Sequence, residues 1–189
     1  MRSRNILAPA LSAILLCSGC ATHPKSFRLL EVAPGVFWGH KPWLQAHFEE
    51  MRAQGVRSIL SLEQLPWDIW PERRQARRNG LEYRNVPIMA SPLEPPEKRV
   101  KQALLVLNDA SLRPIFVHCL LGEDRAAFLV GLYRMYFQDW TPQAAFDEML
   151  RLGFHVRPTL RGFDTYFWNH TQKPDWVKAL RAGQEKKPP

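Results

Sequence analysis

One stretch constrains this 189-residue chain more than any other: Ile115-Phe116-Val117-His118-Cys119-Leu120-Leu121-Gly122-Glu123-Asp124-Arg125. The apolar run that ends at His118 reads as a buried strand. Arg125 opens a helical pattern that continues to Gln138. Residues Leu120 to Asp124 form the short loop between them. A loop of this kind can ring an oxyanion with backbone N–H groups, and the helix behind it adds its positive dipole end. The Arg125 guanidinium can hold two oxygens of one anion as a fork. Cys119 then stands where a thiolate could attack a phosphate ester. The same field is expected to lower its thiol from about 8.5 toward or below neutrality. The competing reading is a buried, inert core cysteine with a surface arginine.

The rest of the chain alternates strands and helices. Val36 to Gly39 reads as a strand after a Pro34-Gly35 turn, Trp43 to Gln54 as a helix, and Val56 to Leu62 as a strand. Glu63 to Pro71 reads as an irregular loop, and Pro71 to Asn79 as a polar helix with Pro71 near its start. Leu81 to Ile88 returns as a strand, and Met89 to Pro96 is a proline-rich loop. The pattern predicts a helix over Glu97 to Ala110 whose apolar face is Val100, Ala103, Leu104 and Leu107. Further helices are expected from Pro142, capped by Thr141, and from Pro158 to about Asn169. This order implies an α/β fold, a mainly parallel central sheet flanked by helices on both faces. Sites in such sheets lie beyond the C-terminal ends of the strands, where His118-Cys119 falls.

The His118-Cys119 pair, the mid-loop Gly122 and Arg125 resemble the signature loop of the protein tyrosine phosphatase superfamily, His-Cys followed by five residues and Arg. The match is nearest to compact dual-specificity-like phosphatases and their exported bacterial relatives. Rhodaneses have one residue fewer before the arginine, and low-molecular-weight phosphatases carry the loop near the N-terminus. The resemblance implies a dual-specificity phosphatase-like fold and a phosphocysteine intermediate formed on Cys119. It implies substrate binding by Leu120, Leu121, Gly122, Glu123, Asp124 and Arg125, with His118 supporting the loop. No cofactor is implied. The six histidines show no metal-ligand spacing, and His155 and His170 read as structural or surface residues. The substrate class implied is phosphoprotein, with phosphotyrosine foremost and phosphoserine or phosphothreonine beside it. Asp124 before the arginine is similar to myotubularin-like enzymes, which keeps inositol phosphates and phosphoinositides as the alternative. A catalytically weak phosphate-binding module is the third reading.

Two positions depart from the family pattern. The family supplies a general acid, usually an aspartate, from a loop well before the cysteine, a role that adds a rate factor of about 10²–10⁴. The matching loop, Pro87 to Glu97, contains no aspartate. Asp124 and Glu94 are the two candidates for the acid, with Asp68 a more distant third. Ala126 stands where most members carry Ser or Thr, as it does in regenerating liver phosphatases, and this implies slow turnover with an accumulating phosphoenzyme.

Residues 1–19 read as a lipoprotein-type signal peptide. Arg2 and Arg4 precede a short apolar stretch and Leu16-Cys17-Ser18-Gly19-Cys20, with Cys20 as the lipidated acceptor. Residues 20–30 are expected to be a linker, 31–172 the phosphatase domain and 173–189 a loose basic tail. The implied location is a bacterial membrane-anchored lipoprotein facing the periplasm from the outer membrane, held through Cys20. Of three cysteines, Cys119 would then be the one free thiol. The net charge of +8 suits anionic partners. No nucleic-acid module is present, so nucleic acid is not an expected partner. Arg73, Arg74, Arg77 and Arg78 read either as a substrate or anionic-lipid patch or as a solvated helix face.

Overall fold

The computed structural model of the chain describes residues 27–185. The expected signal segment, its acceptor Cys20 and the end of the basic tail lie outside the described residues. Five strands form one sheet in the order β1-β2-β5-β3-β4: β1 Leu30–Ala33, β2 Val36–His40, β3 Ser58–Ser61, β4 Glu82–Asn85 and β5 Ile115–Cys119. Strands β2, β5, β3 and β4 run parallel, and β1 pairs antiparallel with β2 across the Pro34-Gly35 turn. The sheet is thus mainly parallel, as expected, with one antiparallel edge strand over residues to which the sequence reading assigned no element beyond Leu30 of the linker. Strand β5 is the centre, and all five of its residues are buried. An apolar run fits that place, since a central parallel strand has helices against both faces.

Alternation along β5 divides the core in two. Phe116 packs with Phe37, Ile59, Phe48, Met51 and Ala76, beneath helices α1 (Gln45–Ala53) and α2 (Pro66–Arg78). Ile115, Val117 and Cys119 join the larger cluster on the other face. There lie α3 (Glu97–Asn108), α4 (Asp124–Phe137), α5 (Pro142–Arg151), α6 (Arg161–Asn169) and α7 (Asp175–Glu185). The α3 face is the one expected, with Val100, Ala103, Leu104 and Leu107 all buried. Thr141 Oγ1 accepts from Ala144 N at 3.2 Å and caps α5 with Pro142 at its first position.

Three expectations need correction. Helix α2 begins at Pro66, not Pro71, so Pro71 lies inside it and Asp68 sits on its first turn rather than in a loop. Pro66 explains the start, because proline at a first helical position lacks only an N–H that would be unpaired there anyway. Residues 173–185 are not a loose tail. Helix α7 buries Val177 and lays Trp176 against the main core, while Arg181 and Lys173 bind Asp139. The assigned linker also ends early, since Phe27 and Leu29 pack on the smaller core.

Helix α4 is buried on almost every side, and Arg134 near its C-terminal end is paired inside. Arg134 holds both carboxylate oxygens of Glu148 on α5 at 2.7 Å and also donates to the Val32 carbonyl oxygen. Removing one partner of a buried pair strands the other charge. Glu148→Ala should therefore cost about 3–5 kcal/mol in urea unfolding, and a loss within that of an ordinary surface substitution would refute this role.

Candidate active site

Strand β5 ends at Cys119, and helix α4 begins at Asp124. The loop between them is tied down at both ends. Trp38 Nε1 donates to the Gly122 carbonyl oxygen at 2.8 Å, and Lys41 N donates to the Leu120 carbonyl oxygen at 3.3 Å. Gly122 has φ +76°, and a Cβ there would lie 2.5 Å from the Gly39 carbonyl oxygen, so only glycine fits without displacing strand β2. Beneath the loop, His118 Nδ1 sits 3.2 Å from the Cys119 carbonyl oxygen. The same ring stacks on Phe116, and its Nε2 lies 2.6 Å from Glu72 Oε1 on α2, both groups fully buried. That contact has ion-pair distance but not the alignment of a straight hydrogen bond.

Cys119 is buried, with the backbone N–H groups of Gly122 and Ala126 directed to its sulfur and the Arg125 charge nearby. Burial pushes the thiol up, because a thiolate loses its hydration there. Arg125 and the two N–H groups pull it down, and the Glu63 carboxylate adds a smaller upward push. The balance is upward, so the expected shift toward neutrality is corrected: desolvation outweighs the favourable field.

Arg125 is also buried, and its position is set by three elements. Nη1 donates to the Leu62 carbonyl oxygen at 3.1 Å and to that of Ile88 at 3.4 Å, and Nη2 donates to Glu63 Oε1 at 3.1 Å. A guanidinium has five N–H donors and three are used, so Nε–H and the second Nη2–H remain without a partner among the described residues and can serve an anion. Glu63 was not singled out in the sequence. It follows β3 by two residues in what reads as an irregular loop, and nothing local marks it as a partner for a residue 62 positions away.

The two acidic loop residues turn away from the thiol. Glu123 reaches Arg28 at 3.7 Å, and Asp124 Oδ1 accepts from His155 N at 3.4 Å. Half-buried Asp124 has its carboxyl raised, first by desolvation, with His155, Arg157 and the His155 N–H opposing. Glu94 is exposed and accepts from Asn169 Nδ2 at 2.9 Å. Its loop is clamped on α6, where Gly162 leaves no room for a Cβ beside the Leu93 carbonyl. Asp68 is held by Lys41 Nζ at 2.6 Å, and Lys41 is itself nearly inaccessible. The structure therefore gathers Cys119, Gly122, Arg125 and His118. It gives Asp124, Glu94 and Asp68 other partners.

The charge balance makes a pH prediction. Alkylation of Cys119 by iodoacetamide should rise with pH to a midpoint at or above the ordinary thiol value of about 8.5. Glu63→Gln should move that midpoint down by removing a nearby negative charge. A wild-type midpoint below about 7 would contradict the dominance of burial.

No family model matches the chain. Inositol diphosphatase DSP2 of Oryza sativa subsp. japonica is 30% identical over 123 residues, 62% of this chain and 58% of that protein. The dual specificity protein phosphatase TpbA of Pseudomonas aeruginosa is 36% identical over 53 residues, 28% of this chain and 24% of that protein. The chain thus spans less than two thirds of the curated relatives it matches. Among solved structures, the core catalytic domain of the PP-IP phosphatase SIW14 from S. cerevisiae matches with TM-score 0.69. It is 22% identical, with 84% of this chain and 93% of that one covered. P. aeruginosa TpbA matches with TM-score 0.66 at 21% identity, covering 83% and 92%. The fold is theirs, and the relatives in sequence and neighbours in structure are cysteine phosphatases of the dual-specificity, protein tyrosine phosphatase-like kind.

Proposed function

We propose that the chain is a cysteine-dependent phosphatase acting on phosphate monoesters, foremost protein phosphotyrosine, with phosphoserine and phosphothreonine as further substrates. The observation that carries this reading is a buried Cys119 sulfur faced by two backbone N–H groups, beside an arginine whose side chain is fixed and whose Nε–H is uncommitted. Cys119 gives up its proton to solvent and attacks phosphorus as the thiolate, the S–P bond forms and the ester P–O bond breaks. The leaving oxygen takes a proton from the general acid. Water then attacks phosphorus and returns a proton to the carboxylate of the general acid, the S–P bond breaks to release the thiolate, and inorganic phosphate leaves. Arg125 stabilises the transferring group in both steps. Exposed Leu120 and Leu121 flank the loop and suit an aryl ring better than a polyanion.

Asp124 is the general acid in this proposal, ahead of Glu94, and it must turn from the His155 N–H to reach the leaving oxygen. Its burial keeps the carboxyl protonated above the usual range, whereas Glu94 is exposed and engaged by Asn169. With Ala126 the loop lacks the hydroxyl that would assist departure of the thiolate, which fits slow turnover. A second reading, inositol phosphates or pyrophosphates as substrate, is supported by the rice relative, named as an inositol diphosphatase, and by the yeast neighbour, named as a PP-IP phosphatase.

Hydrolysis of an aryl phosphate, a tyrosine-phosphorylated peptide and an inositol pyrophosphate by the purified chain tests these readings together. Cys119→Ser should abolish turnover. Asp124→Asn should lower the rate on a poor leaving group by about 10²-fold or more and remove the basic limb of its pH profile, while Glu94→Gln leaves both in place. Preference for the inositol substrate would select the second reading. Phosphate binding without turnover would leave the interaction module. Anchoring to a bacterial outer membrane through lipidated Cys20 belongs to the same proposal. Labelled fatty acid should enter the protein in a bacterial host and be lost in Cys20→Ser, and equal labelling of the two would remove the anchor.

A further inference from the structure

The loops at the site end of the sheet expose large apolar side chains from every parallel strand. Trp43 and Leu44 follow β2, Leu65 and Trp67 follow β3, Met89 and Leu93 follow β4, and Leu120 and Leu121 follow β5. Scattered exposed leucines are ordinary, but a set gathered at one end of a sheet marks a contact surface. Trp67 and Trp70 are 69% and 70% exposed, which is costly for the largest apolar side chains unless something covers them.

This rim continues into a basic helix face. On α2 the buried side is Glu72 and Ala76. Trp67, Trp70, Arg74 and Arg78 stand three and four residues apart on the outer side and line one shallow groove. A neighbouring depression joins Trp70 to Arg73, Arg74, Arg77 and Arg78. None of these four arginines has a carboxylate partner among the described residues. Lys41 links the helix to the phosphate-binding loop, bonding Leu120 through its backbone and lying 4.4 Å from the Trp43 ring. Tryptophan settles at the boundary between hydrocarbon and headgroups, and unpaired arginines beside it meet anionic lipid.

We propose that this rim and the outer face of α2 dock on an anionic lipid bilayer, turning the mouth of the site toward the membrane surface. The occupant is chosen by the charge complementarity of four arginines without carboxylate partners, of which Arg73 also lies over the Tyr83 ring, and by the combination of indoles with cations. A nucleic acid would match the charge but not the leucine and tryptophan rim. Docking does not rest on the phosphatase reading, because it needs neither turnover nor the Cys119 and Arg125 side chains, although Leu120 and Leu121 of the loop belong to the rim. It also differs from tethering through Cys20, because it engages specific surfaces of the folded domain.

Hydrogen exchange of the full chain on vesicles tests it peptide by peptide. With phosphatidylcholine mixed with phosphatidylglycerol, segments 65–78 and 119–123 should become protected, and with pure phosphatidylcholine they should not. The double variants Arg74→Gln/Arg78→Gln and Trp67→Ala/Trp70→Ala should each weaken this protection by about tenfold or more in lipid titration. Their thermal midpoints and helix content should match the wild type, since these side chains are exposed. Binding through the residues before 27 alone, with α2 unprotected, would overturn the proposal. So would equal protection on neutral vesicles, or variants that protect as fully as the wild type.

Discussion

The buried guanidinium of Arg125 is the interaction on which the site depends. It enters from the first turn of α4 and reaches the segments that follow β3 and β4, through Leu62, Glu63 and Ile88. Strand β5 lies between β2 and β3, so the thiol at its end is brought against the same group. One side chain therefore sets the relative height of the loop over residues 120–124 and its two neighbours. The cost of a buried cation is offset by the Glu63 carboxylate and the two carbonyls, an arrangement that tolerates little movement. Because those partners belong to the protein, the arginine is already in place before any anion arrives, and less ordering remains to be done on binding.

The electrostatics of the loop follow from where its acids go. Two consecutive carboxylates beside an anion site would repel it. Glu123 instead turns to Arg28 and Asp124 to the His155 N–H, on the outer side of the helix start. Asp124 and Glu123 on the first turn of α4 also meet the positive end of its dipole. What remains near the sulfur is one arginine, two N–H groups and the more distant Glu63. Against these stands desolvation, which is the larger effect because the sulfur sits under the loop rather than on it.

The two faces of the sheet are built differently. The α3–α7 face is thick and carries most of the core, including the α4–α5 pair of Arg134 and Glu148. The α1–α2 face is a thinner cover whose outer surface holds the exposed indoles and arginines. Helix α2 joins these two roles. Its inner side presents Glu72 to His118 beside Cys119, and its outer side carries Trp70 and the arginines. A surface event on α2 thus lies one helix diameter from the loop.

The strand–loop–helix around Cys119 was legible from local pattern because its determinants are local: an apolar run, a glycine where the chain must turn, and a helix that starts on cue. The alternation of elements likewise determined a mainly parallel sheet, the face of α3 followed from spacing, and the start of α5 from Thr141 and Pro142. The edge strand β1 and helix α7 were hidden, since a four-residue strand and a charged amphipathic segment become regular only when a partner covers one side. The start of α2 was misplaced because Pro66 and Pro71 both satisfy the rule for a first helical position. Glu63 and Glu72 could not be read at all, as their partners are distant in sequence and meet them only through the strand order. The direction of the Cys119 shift belonged to the same class. The sequence by itself determined that Arg125 and the loop N–H groups face the thiol, but only the tertiary structure decided how deeply it is buried, and burial sets the sign because hydration of a thiolate is lost with the water and not with any single neighbour.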